Sequence, residues 1–170
     1  MKQPGRSTWQ QSDSKRSMNS GYVSAWGADW AWGLPLIVLT VVFHAYCLSL
    51  IAQDVSRRLD AKGLARHFSP SSIFLVGVTA LCATVLHGIE GVVWAAAYCL
   101  LGASPDYKSA ILYSLEAVTS YGHESIDLAL HWRMLGALEA LNGWILFGLT
   151  AAFLFAIVQR AWPDTHSKQV

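Results

Sequence analysis

Charge is scarce in this chain. Asp, Glu, Lys and Arg make up 14% of its 170 residues and nearly cancel at a net +1, which excludes both the basic surface of a nucleic-acid binder and the acidic excess of a solvating tail. A cysteine framework is missing too. Cys47, Cys82 and Cys99 fall inside apolar runs with no CxxC or Cys/His cluster, so they read as reduced packing residues. No Ser/His/Asp set, phosphate-cradling Gly loop or metal-ligand spacing occurs, and no catalytic residue, metal or cofactor is expected. No apolar run carries Arg or Lys at every third position, which excludes a voltage sensor. Residues 1–30 are rich in Ser, Gln, Gly and Lys and lack the apolar core of a secretory signal; the expectation is a flexible N-terminal tail.

Apolar residues fill the space that charge leaves. They make up 54% of the chain and gather in runs at 32–52, 72–103 and 134–158, each near or above the roughly 20 residues a membrane-crossing helix needs. These runs predict an all-α membrane protein with three transmembrane helices. Residues 31–53 are the first helix, 54–71 a basic loop and 72–163 a unit holding the other two. A fourth run, 110–118, is about half as long and follows Pro105 and Asp106, both good helix starters, so it reads as a re-entrant helix buried in protein.

Arg57, Arg58, Lys62 and Arg66 place the basic loop in the cytoplasm, and the alternation of spans returns the C-terminus, with Arg160 and Lys168, to the same side. Lys2, Arg6, Lys15 and Arg16 oppose this orientation, but most lie more than about 15 residues from the first run, where their influence weakens. The predicted location is the cell (inner) membrane. Trp26, Trp30, Trp32, Trp132 and Trp162 flank the apolar runs as an interfacial belt would.

From His87 to Pro163 the chain resembles small bacterial two-transmembrane-segment ion channels of potassium-channel-like type. The matching text includes Leu86-His87-Gly88-Ile89-Glu90, Leu112-Tyr113-Ser114-Leu115, and the run from Leu135 to Gly143 followed by Leu146-Phe147-Gly148. The resemblance implies an outer helix, a pore helix, a filter and an inner helix, assembled as a homotetramer because one such segment per chain cannot enclose a pore. It implies that Thr119, Ser120, Tyr121, Gly122, His123 and Glu124 form the filter. Glu124 stands where the family has its second glycine and Ser125 where it has an aspartate. A Cβ at a positive-φ position costs roughly 1–2 kcal/mol per chain, so the outer filter is expected to differ in shape and selectivity for potassium to be weak.

Other candidate residues follow from position. Glu90 lies within a span and needs a partner; His87, three residues earlier on the same face, can supply one, either as a proton-responsive pair or as a structural bond. Glu116 and Glu139 are candidates for supporting the filter from behind. His44 reads as a packing histidine. Asn142 and Gly143 are a candidate inner-helix hinge, with close packing as the equal alternative. Leu146, Thr150 and Leu154 would line an apolar cavity if the inner-helix resemblance holds.

The function expected is thus a homotetrameric pore in the lipid bilayer conducting monovalent cations, with no nucleic-acid partner and no enzyme activity. A pore for anions, protons or small solutes is the alternative, as is a non-conducting structural or sensory protein on the same scaffold.

Overall fold

In the computed structural model, residues 8–62, 70–122 and 128–161 are described. They form four helices and no strand: α1 (Thr8–Lys62), α2 (Pro70–Leu100), α3 (Tyr107–Thr119) and α4 (Arg133–Ala161), the last entered through a 3₁₀ turn, Leu130–Trp132. Three stretches, Gly27–Leu59, Pro70–Leu100 and Leu130–Arg160, are long and apolar enough to cross a membrane.

α1 departs most from expectation. Residues 8–30, expected as tail, are helical, and so are 54–62 of the expected basic loop. The reason is propagation: once an apolar helix is anchored, each added residue closes one hydrogen bond, and only Pro or Gly opposes extension strongly. The one proline inside α1, Pro35, lies within its apolar stretch, where a missing N–H is tolerated if neighbouring helices cover the gap. At the other end Arg58 pairs with Asp54 one turn earlier, Nε to Oδ2 2.7 Å, an exposed contact that adds a few tenths of a kcal/mol at most (about 0.3–0.5). Arg66, His123, Glu124, Ser125, Trp162 and Lys168 lie outside the described residues.

α2 begins with Pro70 at its first turn, where a missing N–H costs nothing. It ends on Gly102, whose φ of +66° permits a Schellman closure: Ala103 N–H to the Tyr98 carbonyl at 2.8 Å and Gly102 N–H to Cys99 at 3.2 Å.

α3 confirms a half-length helix between two long ones. Its 13 residues rise about 20 Å, well short of a roughly 30 Å hydrocarbon layer. Asp106 caps it, accepting from the Ser109 backbone N–H at 2.9 Å and the Ser109 hydroxyl at 2.7 Å. Ser120, left-handed at φ 54°, stops it by a second Schellman pair, Ser120 N–H to Ala117 and Tyr121 N–H to Glu116, both 3.0 Å.

α3 lies between α2 and α4, while α1 packs along α4 and α2. The principal core, Trp94, Tyr98, Ala110, Tyr113, Ala117 and Leu135 among others, seats α3 on its neighbours. A second cluster of Val55, Leu59 and Ile157 joins α1 to α4 at the other end. Trp132 belongs to the first core, buried and not in an interfacial belt; Trp30 and Trp32 are exposed as a belt requires. Small residues set the approach of α4 to α3: a Cβ on Gly143 would sit 2.4 Å from the Val118 carbonyl oxygen, and one on Gly136 would meet the Tyr113 ring. Gly143 is therefore a close-packing glycine, the second of its two sequence readings.

Candidate functional site

Buried polar residues share one stripe with apolar neighbours on each long helix. On α4 the stripe is Glu139, Asn142, Leu146 and Thr150; on α1 it is Thr40, His44 and Leu48; on α2 it is Leu86, Glu90 and Trp94, all buried. Spacings of three and four keep each set on one helical face. The three faces meet along the axis of the bundle and stack their polar groups in three levels.

At the level of α3, Glu139 receives the Tyr98 hydroxyl and pairs with Ser114, whose Oγ also lies 2.7 Å from the Gly91 carbonyl. This cluster ties α2, α3 and α4 together. Of the two glutamates expected behind the filter, Glu139 is the buried one. Glu116 is half-buried and two positions from Ser114, a spacing that turns it to another side of α3. At the next level the Asn142 amide donates to Thr40 Oγ1 at 2.9 Å. Thr40 can accept because its own proton returns to the Leu36 carbonyl at 2.8 Å.

The third level joins three helices through His44, His87, Glu90 and Thr150. His44 Nδ1 lies 2.8 Å from Glu90 Oε1, while His87 Nδ1 stands 3.5 Å from Oε2. The other ring nitrogens converge on one hydroxyl, His44 Nε2 at 2.9 Å and His87 Nε2 at 3.1 Å from Thr150 Oγ1. The sequence pairing of His87 with Glu90 is thus present but long. The short partner is His44, read from sequence as packing alone. Thr150 and Leu146 are buried within the chain, so they do not line a cavity shared between chains, contrary to the expected Leu146, Thr150 and Leu154 face. The imidazoles hold Thr150 inward; Leu154 is half-buried. α4 instead leaves Trp144 and Phe147 exposed.

The expected filter residues begin at the last residue of α3, Thr119, and run on from it. The Thr119 hydroxyl bonds back to the Leu115 carbonyl at 2.7 Å. Ser120 Oγ accepts from Trp144 Nε1 at 3.0 Å. Tyr121 is 83% exposed and Gly122 has a φ of +98°, a conformation that favours glycine. Beneath this turn is a cavity of about 390 Å³, bordered by Thr119, Ser120, Gly143, Trp144, Phe147 and, at its inner side, His87.

Thr40, Tyr98 and Ser114 were missed as site residues. The signal for Thr40 was its i, i+4 spacing to His44; for the others it was the need of Glu139 for donors. No known protein family, curated protein or solved structure matches the chain. The fold is all-helical among the described residues, with three helices of membrane-crossing length and composition, as a multi-pass membrane protein requires.

Proposed function

We propose that this chain is one subunit of a homotetrameric, potassium-channel-like pore that conducts monovalent cations with weak preference for potassium. One observation carries the reading: a helix too short to cross a bilayer is seated between two long ones and ends in a turn with Ser120 and Gly122 at positive φ. A half-span of this kind leaves backbone groups that lipid cannot satisfy, and a protein-lined aqueous path is where such backbone is stable. In this reading Thr119, Ser120, Tyr121 and Gly122 face the axis, His123 and Glu124 form rings at the outer mouth, and Glu139 fixes the pore helix through Ser114. Exposed Trp144 and Phe147 lie on the axial side of α4 and make a bulky, apolar inner passage that can close by dewetting. The membrane is the inner membrane, with the basic loop and C-terminus cytoplasmic.

Ion flux through purified protein in liposomes tests this directly, comparing potassium, sodium, protons and chloride, alongside the mass of the complex in nanodiscs. The expected result is a fourfold assembly passing potassium and sodium at comparable rates and excluding chloride. A monomer or dimer in nanodiscs, or vesicles no leakier than empty ones, would overturn the proposal.

A further inference from the structure

We propose that His44, His87 and Glu90 bind one divalent transition-metal ion of the zinc class inside the bundle, oriented by Thr150. This inference does not depend on the pore reading. Both imidazoles turn Nδ1 toward the Glu90 carboxylate and Nε2 toward the same hydroxyl. One ligand atom from each of the three residues lies within 4.8 Å of the others; ligand atoms at about 2.0–2.2 Å from a tetrahedral ion stand about 3.3–3.6 Å apart, so a shift of about an ångström brings the three onto a shared ion.

Hydrogen counting leaves the site two arrangements. An ionised carboxylate only accepts, and Thr150 has one proton and two lone pairs. Without a metal, His44 donates from Nδ1 to Glu90 and accepts from Thr150, while His87 donates from Nε2 to Thr150 and its Nδ1 lone pair is left facing Oε2. With a metal, both Nε2 atoms donate to Thr150 and both Nδ1 lone pairs turn to an ion held with the carboxylate. The second is the pattern of metal-bound histidines, whose remote N–H is held by an outer partner, and it alone uses the His87 Nδ1 lone pair.

Two further observations agree. Glu90 Oε2 and His87 Nδ1 are buried without a hydrogen-bond partner, and the Glu90 side chain is 0% exposed. Two imidazoles with one carboxylate suit zinc-class ions, whereas magnesium and calcium take oxygen ligands. Three protein ligands leave a fourth position open. His87, its side chain 20% exposed, borders the cavity beneath the Thr119–Ser120 turn and provides the way in.

The test uses the untagged full chain in nanodiscs, stripped with chelator, then titrated with zinc against a chromophoric competitor and separately with cobalt. The expected result is one ion per chain and the intense visible bands of a low-coordinate cobalt site. His87→Gln and Glu90→Gln should each abolish the cobalt spectrum while keeping the helical signal and oligomeric mass of the wild type. Thr150→Val should keep the stoichiometry and weaken affinity about 10–100-fold. Should Glu90→Gln not fold, His87→Gln, at a side chain only 20% exposed but bordering the cavity, decides alone. A wild type that binds neither ion, or a cobalt spectrum that survives His87→Gln, would overturn the site.

Discussion

Ser114 has one proton and two oxygen neighbours, the Gly91 carbonyl and the Glu139 carboxyl. A carbonyl can only accept, so the donors balance when Ser114 gives its proton to Gly91 and Glu139 carries a proton that it gives to Ser114. A neutral acid also suits a fully buried position with no basic partner among the bonds it makes. Glu139→Gln should therefore be nearly neutral, since its amide can donate to Ser114 and accept from Tyr98. Glu139→Leu should cost about 1–3 kcal/mol, because it strands the buried Tyr98 hydroxyl and removes a partner of Ser114. Unfolding in a denaturing detergent series would separate the two, and a large loss in the Gln variant would show that an ionised carboxylate is needed there. Legibility at this scale followed helix periodicity. Glu90 and His87 share a face of one helix, so their association was visible in the sequence. His44 and Thr150 join them from two other helices, and that depends on how α1 is rotated about its axis. A helix apolar on most sides gives no periodic signal to set that rotation, so His44 read as packing.

Helix ends were more legible than helix lengths. The start of α3 follows from Asp106, and its brevity from an apolar run too short to cross; both were readable because caps and run lengths are local. The length of α1 was not readable, because its polar ends contain few strong breakers and their helicity rests on the apolar segment they extend. Gly143 was readable only as one of two roles, and contact with the Val118 backbone decided between them. The cap of α3 also has a pH signature. Bonds from the Ser109 backbone and hydroxyl hold the Asp106 carboxyl below its ordinary 3.8. Its folded value is depressed, so its contribution is complete above 3.8 and is lost as pH falls through the folded value. Asp106→Asn, which caps without titrating, should remove this acid-side loss while leaving neutral-pH stability close to wild type. Asp106→Ala should be weaker at every pH. Hydrogen exchange of the first turn of α3, followed from pH 6 to pH 3 with correction for the intrinsic rate, checks both, and parallel wild-type and Asn profiles would dismiss the cap as the source.

At the scale of the whole molecule, the chain leaves broad apolar faces open, among them Phe74, Leu81 and Val85 on α2 and Trp144, Phe147 and Phe155 on α4. Lipid can cover most of such a surface, but it cannot satisfy the backbone of a turn that stops partway through the membrane. In the proposed pore, the exposed Tyr121 and the positive-φ Gly122 meet the same turn from three other chains. In that proposal conduction is set just beyond Gly122, where the resemblance expected from the sequence puts Glu124 in place of a filter glycine. A potassium filter needs successive carbonyls aimed inward, and a side chain where φ must be positive costs about 1–2 kcal/mol in each chain. In the proposed pore, a carbonyl layer that no longer replaces the hydration shell would not separate potassium from sodium. In that reading Glu124→Gly removes both the strain and a ring of four carboxylates. It should raise the potassium-to-sodium permeability ratio several-fold while lowering total cation flux at low salt, where screening is weakest. Reversal potentials under bi-ionic conditions measure the first effect and flux against ionic strength the second. A ratio unchanged by the substitution, with flux reduced, would leave Glu124 as a cation-attracting ring alone and place selectivity in the carbonyls of Thr119 to Gly122.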